Sequence, residues 1–372
     1  AGAAKLPLAL DAVRQGIARL APTDRFAVVA YDDEIEVAVP TGPASPERRE
    51  LAERALAGLQ PRGTTNLGGG WLRGAEQVAM ALAADGVNRV LLLTDGLANV
   101  GMTDPAELAS HAAGLRARGV ATSTLGVGED FDERLLGAMA DAGGGTFRYG
   151  ERAEVIPQFI AAEVGELLEV TARRVELRLA TAGGTGGVQV EPLGAFAMEP
   201  RPGGGAIALG DLVADQLVRV ALAITFPMGE VDRSIGLTLT LADADGRLDE
   251  STTLTWRYAD NAANDSQPRD RSVDRVVARA YADRARRDVV AMNREGRFDE
   301  ARRALLGVAK RIRGYAGHDD VLRGIVAELE REAEHWSVRQ DELSRKRLFA
   351  DMSYQLHSRQ LSSMPLRRTD RS

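Results

Sequence analysis

Two short stretches within the first hundred residues carry oxygen-bearing side chains in settings where a cation could be held. Gly63-Thr64-Thr65-Asn66-Leu67-Gly68-Gly69-Gly70 leads into a helical pattern, and Leu93-Thr94-Asp95-Gly96 closes the most apolar run of the chain. A threonine hydroxyl and an aspartate carboxylate are hard oxygen donors, the type that suits Mg²⁺ or Mn²⁺. Each segment also has a purely structural reading. Thr-Thr-Asn-Leu-Gly can cap a helix, and an Asp-Gly after a strand can be a turn. Their joint placement favours chemistry, because ligands of an open parallel sheet bind beyond the carboxyl ends of its strands, and both segments fall there.

Other candidate motifs fail on spacing or charge. Gly126-Val127-Gly128 sits between a strand and a helix, the setting of a dinucleotide fingerprint. However, Phe131 stands at the third glycine position, and Glu129 and Asp130 would face the pyrophosphate. No Gly-x-x-x-x-Gly-Lys-Ser/Thr occurs. Asp243-Ala244-Asp245-Gly246 suggests a calcium loop, but its glycine comes two positions early and Arg247 replaces a ligand; a hairpin turn is the better reading. His111, His318, His335 and His357 never pair at metal-ligand or nucleophile-base spacing. With no cysteine at all, thiolate zinc sites, cysteine nucleophiles and disulfide scaffolds are excluded.

The elements that must position Thr65 and Asp95 are visible in the hydrophobic pattern. Up to about residue 168 strands alternate with helices: apolar runs at 26–31, 90–93 and 120–127, helical segments at 47–58, 70–84, 105–118, 131–141 and 154–169. This alternation implies right-handed βαβ units and a doubly wound, mainly parallel α/β sheet. Residues 35–39 follow the preceding strand after only Asp32, Asp33 and Glu34, so that pair must be antiparallel. From 171 to 258 the period changes to two, in runs such as 175–179, 217–222 and 237–241, and a β-sandwich-like domain is expected. Residues 259–272 read as a polar linker. Residues 273–350 read as a helical region with an α-helical hairpin turning at Asn293-Arg294-Glu295-Gly296, its Glu328, Glu330, Glu332 and Glu334 forming a solvated face. Residues 351–372 read as a fraying tail.

Composition agrees with folded domains. The chain has 372 residues, 44% of them hydrophobic, and at ~100–200 residues per domain that predicts two or three cores. A net charge of −7 argues against a nucleic-acid partner, which would select a basic face. No run reaches the ~18 apolar residues of a membrane span. Lysine is rare among the basic residues (Lys5, Lys310 and Lys346 only), a bias that reads as GC-rich codon usage and a bacterial source.

With these residues in place, 1–168 resembles a von Willebrand factor type A domain. That family's metal-ion-dependent adhesion site draws on three loops: Asp-x-Ser-x-Ser after the first strand, a threonine from a Gly-x-Thr-like loop, and the aspartate of a strand-ending Thr-Asp-Gly. Gly63-Thr64-Thr65-Asn66 matches the second and gives Thr65 the threonine role; Leu93-Thr94-Asp95-Gly96 matches the third and gives Asp95 the aspartate role. Asp24-Arg25-Phe26-Ala27-Val28-Val29-Ala30-Tyr31 and Ala142-Gly143-Gly144-Gly145-Thr146-Phe147 match further strands in the same order. The first loop has no counterpart. The nearest, Asp351-Met352-Ser353-Tyr354-Gln355, fails at its last position, and Ala1-Gly2-Ala3-Ala4-Lys5-Leu6 resembles the continuation of the motif. The expectation is therefore a sheet lacking its first, central strand, in a chain truncated at its N-terminus. The further order of sandwich and helices is similar to large bacterial proteins of this type.

The resemblance implies a noncatalytic protein-binding module whose Mg²⁺ or Mn²⁺ bridges to an acidic residue of a protein partner. With only Thr65 and Asp95 present, the site is incomplete and metal binding is expected to be weak or absent. The alternative is a metal-dependent hydrolase using Asp95, which lacks a candidate base. A cytoplasmic location is expected, or export if a signal segment lies upstream.

Overall fold

A computed structural model describes residues 5–60, 63–83, 86–168, 170–181, 187–193, 196–214, 216–356 and 360–361. Ala1 to Ala4, Arg62 and the tail from 362 onward lie outside them. The chain divides into two compact units, Ala1–Val170 and Thr171–Ser372.

In the first unit the order is α1 (Lys5–Arg19), β1 (Arg25–Tyr31), β2 (Ile35–Pro43), α2 (Pro46–Gly58), α3 (Leu67–Ala79), β3 (Asn88–Thr94), α4 (Pro105–Ala117), β4 (Val120–Val127), α5 (Glu133–Gly143), β5 (Gly144–Gly150) and α6 (Ile156–Leu168). Local chemistry sets the helix starts. Ser45, Asn66, Asp104 and Asp132 each accept a backbone N–H of the first turn through the side chain, and Pro46 and Pro105 occupy the first helical position of α2 and α4. The expected start of α3 at residue 70 is corrected to Leu67. Gly68 and Gly69, expected ahead of the helix, are helical with Gly70, and a Cβ at Gly70 would lie 2.3 Å from the Tyr31 ring and one at Gly68 2.9 Å from the Met102 carbonyl. Close packing, not backbone freedom, accounts for these two glycines.

β3, β4 and β5 form a parallel sheet in register, Asn88 opposite Val120 and Thr94 opposite Gly126. Their carboxyl ends therefore lie on one edge. β1 and β2 form a separate antiparallel pair, Tyr31 opposite Ile35. β1 and β3 do not pair with each other; a cleft of about 1160 Å³ lies between them, lined by Val29 of β1, Leu91 of β3 and Trp71 of α3 among others. At its carboxyl end the Tyr31 hydroxyl donates to the Leu93 carbonyl at 2.7 Å. The two half-sheets thus stand as expected for a sheet with one strand position open at its centre. Below the sheet, Ala12 of α1, Leu125 and Val127 of β4, and Ile156, Phe159, Ile160 and Val164 make one buried cluster.

The second unit opens with β6 (Val170–Thr181), β7 (Gln189–Pro192), β8 (Met198–Arg201), β9 (Gly204–Val213), β10 (Gln216–Leu217), β11 (Leu222–Thr225), β12 (Ser234–Ala242) and β13 (Asp249–Arg257). A five-stranded sheet, β13-β12-β6-β9-β8, shares a core with the β7–β11 pair, whose Val190, Leu222 and Ile224 pack against Val175, Leu179, Ile207 and Leu237. The run 217–222, expected as one strand, is two: β10 ends at Leu217 and β11 begins at Leu222. The stretch read as linker holds a helix, α7 (Asn261–Asp265), capped by Asp260. The helical region begins at Arg271, with α8 (Arg271–Arg294), α9 (Phe298–Ala316), α10 (Asp320–His335) and α11 (Glu342–Leu356). α11 runs six residues beyond the expected boundary at 350, and β14 (Gln360–Leu361) pairs with β10. The α8–α9 hairpin turns at Gly296, where φ is +76°. The glutamates read as a solvated face are exposed at Glu328, Glu330 and Glu334, and from that face Glu332 accepts from Arg286 at 2.7 Å and Glu334 from Arg302 at 2.9 Å.

Candidate metal site at the carboxyl edge of the sheet

Asp95 is the first residue past β3, with its side chain 55% exposed. The turn that presents it is held by Thr94, whose hydroxyl donates to the Gly96 carbonyl at 3.1 Å and accepts from the Gly96 amide at 3.3 Å. Thr94 is itself buried, so the turn is anchored where Asp95 is free to face solvent.

Thr65 reaches the same edge from the loop before α3. Its amide donates to the Asn99 side chain at 2.8 Å, and its carbonyl accepts from the amides of Asn99 and Val100 at 3.2 and 3.4 Å. The loop after β3 is thereby stitched to the loop before α3. Asn66 adds two ties, its amide donating to the Asp32 carbonyl at 2.7 Å and its side chain capping α3. A Cβ on Gly96 would lie 3.1 Å from the Thr65 hydroxyl oxygen. The two expected ligands, Thr65 and Asp95, therefore lie at the same edge, with the Thr65 hydroxyl beside the glycine that follows Asp95.

Lysine 5 was not among the expected site residues. Its Nζ lies 3.2 Å from Oδ2 of Asp95 and 3.4 Å from the carbonyl of Val127, the last residue of β4. The ammonium is packed into the crook between two strand ends: a Cβ on Gly128, at φ +86°, would lie 2.8 Å from it. One signal could have marked it, since it is the only lysine before residue 310 in a chain that otherwise uses arginine. Tyr31 was also missed as a site residue. Burial pushes its phenol well above the ordinary value and the Asp95 charge pushes the same way, against the lowering effect of the neighbouring Thr94 hydroxyl. It stays a neutral donor that pins β1 to the end of β3.

The donor set fits a hard divalent cation in kind. Asp95 already holds a cation, the Lys5 ammonium, and a hydroxyl oxygen stands beside it. In number it falls short of the near-octahedral shell that Mg²⁺ demands: among the described residues no group of three or more His, Cys, Asp or Glu side chains could hold a metal ion.

The rejected motifs are accounted for by packing. The Phe131 ring lies against Gly126, where a Cβ would come within 2.3 Å of it, so that glycine makes room for an aromatic side chain and not for a phosphate. Asp243 accepts the amides of Arg247 and Leu248 at 2.8 and 3.0 Å in the β12–β13 turn, and Asp245 binds Arg173. Asp243 thus shapes the hairpin turn, and Asp245 ties that turn to β6.

Residues 1–161 match the family model of the von Willebrand factor type A domain. Over 176 residues the chain is 29% identical to the uncharacterized protein YfbK of Escherichia coli (strain K12), a match covering 47% of this chain and 30% of YfbK. A von Willebrand factor type A protein from Catenulispora acidiphila superposes with a TM-score of 0.67 at 20% identity, over 86% of this chain and 77% of that one. The ArnB paralog VWA2 from Sulfolobus acidocaldarius gives 0.57 at 17% identity, over 96% and 84%. These two likenesses concern the fold alone, and they extend over both units. The Escherichia coli and Catenulispora acidiphila relatives are bacterial and the Sulfolobus acidocaldarius one is archaeal.

Proposed function

We propose that the von Willebrand factor type A domain carried by residues 1–161 is a noncatalytic protein-binding module, in which Asp95 and Thr65 hold a divalent cation that receives an acidic side chain of a partner protein. The observation that carries this reading is the pairing of an exposed carboxylate with a neighbouring hydroxyl at the carboxyl edge of the sheet, with a cation seated against the carboxylate. Mg²⁺ or Mn²⁺ bound there would supply a coordination position for the partner's carboxylate. The chain's own part is positional: Thr94 fixes the Asp95 turn, Asn99 fixes Thr65, and Tyr31 ties the two half-sheets together at this edge. Hydrolysis at Asp95 would need a base beside it, and the side chain in contact with its carboxylate is an ammonium. Among the described residues no helix is long and apolar enough to cross a membrane.

The test is capture of immobilised peptides that differ only in Asp against Asn, or Glu against Gln, with Mn²⁺ and with a chelator. A hydrolase substrate panel is run alongside. Capture that requires both the acidic peptide and the metal supports the reading. Metal-dependent turnover of a substrate without acidic-peptide capture would replace it with the hydrolase.

A further inference from the structure

We infer that Lys5 is an internal competitor at this site: its ammonium and a divalent cation bind Asp95 against each other, so that Lys5 sets how tightly the domain takes its metal. The inference rests on the metal reading above and adds a residue that is not one of the expected ligands. An ammonium 3.2 Å from Asp95 Oδ2 and 3.4 Å from the Val127 carbonyl has two oxygen acceptors. Its side chain is 21% exposed against 55% for Asp95, so the lysine lies on the inner side of the pair and the carboxylate faces outward. Lys5 is in the first turn of α1, whose buried residues Ala12, Gly16 and Ile17 lie in the second half of the helix. A Cβ on Gly16 would lie 2.7 Å from Ile160 of α6. That half of α1 is thus packed closely against α6, and rotation of the Lys5 side chain withdraws the ammonium from Asp95 without disturbing this packing.

A divalent ion on Oδ2 would sit about 2.1 Å from that oxygen, hence within about 5 Å of the ammonium. At that separation a single and a double positive charge repel enough, even screened as in water, to weaken binding roughly tenfold. Binding therefore requires either that repulsion or withdrawal of Lys5 from its two acceptors. Arginine, which keeps the charge, should act like lysine; methionine, which keeps the stem and drops the charge, should not.

The experiment is Mn²⁺ titration of the 372-residue protein, read by the paramagnetic signal of free Mn²⁺, on the parent and on K5M, K5R and D95N, with thermal unfolding to check each fold. The expected result is binding roughly tenfold tighter in K5M than in the parent, near-parent binding in K5R, and loss in D95N. If K5M binds no more tightly than the parent while D95N removes binding, the competition is wrong and the metal site stands. If D95N leaves the affinity unchanged, the metal reading of Asp95 falls and the competition falls with it; if K5M binds no Mn²⁺ at all, removing the ammonium opens no site in this chain and the competition is wrong.

Discussion

Removing the charge of Glu163 should destabilise the first unit severely, and removing its partner as well should restore it. Arg89, the second residue of β3, donates through Nη1 to Oε2 of Glu163 on α6 at 3.0 Å, with the two side chains only 4% and 1% exposed. The Thr146 hydroxyl of β5 donates to the other carboxylate oxygen. Glu163→Gln keeps the volume and an acceptor for Thr146 but leaves a guanidinium buried without a counter-charge, a loss of about 3–5 kcal/mol. A domain of this size shifts its Tm by ~2–4 °C per kcal/mol, so the midpoint of the first unit should fall by roughly 6–20 °C. The combination Arg89→Met, Glu163→Met and Thr146→Val replaces the whole polar group with apolar side chains. It should return to within about 1 kcal/mol of the parent or exceed it. Urea and thermal denaturation of the single and combined variants measure this. A Glu163→Gln variant within 1 kcal/mol of the parent, or a combined variant as unstable as the single, would refute the argument that burial makes this pair costly to break. Because Arg89 lies at the opposite end of β3 from Asp95, cation binding should survive in every variant that remains folded.

Asp95→Ala should abolish metal-dependent peptide capture with a stability change of only about 0.5 kcal/mol, since the side chain is largely exposed, and Thr65→Ala should reduce capture less, a neutral hydroxyl contributing less than a carboxylate. Joining a β-strand that ends in Asp-x-Ser-x-Ser ahead of Ala1 should raise Mg²⁺ affinity by calorimetry; tight Mg²⁺ binding by the 372-residue chain alone would mean that the site is misplaced. Asp245→Ala should leave capture intact yet lower the thermal midpoint of the second unit, because Arg173 then loses its partner at 3.0 Å. In acid, the second unit should lose helix through its caps. Asp270 is held below the ordinary carboxylate value chiefly by the Ser272 hydroxyl, Asp319 by the Leu322 amide and Asp341 by the Ser344 amide. Since the folded values are lower than the unfolded ones, this stabilisation is complete above about pH 4 and disappears as pH falls through the folded values. Replacing all three by Asn keeps the caps and removes the titration, so helical circular dichroism should then depend less on pH in this range; an unchanged acid midpoint would sink the idea.

What was legible in the sequence is what is decided over a few residues. The apolar runs at 90–93 and 120–127 are strands because they are short, β-branched or leucine-rich and bounded by turns. The three-residue turn after Tyr31 forces β2 to run antiparallel. Thr65 and Asp95 could be assigned because each belongs to a short local phrase at a strand end or helix start. Tertiary structure decided what depends on residues far apart in the chain. Gly68 and Gly69 read as loop ahead of the helix, yet α3 includes them, and the Met102 carbonyl against Gly68 and the Tyr31 ring against Gly70 leave room only for glycine. The run 217–222 alternates like a single strand, but β11 pairs with β7 and β10 with β14, and these separate partners divide it. Glu332 and Glu334 alternate with basic and apolar residues as a solvated face would, and only the packing of α10 beside α8 and α9 gives them Arg286 and Arg302. Lys5 is ninety residues from Asp95, and no local pattern connects them. The burial of one face of α1 against α6 brings the ammonium to the end of β3, and an ion pair created by packing leaves no periodic trace in the sequence.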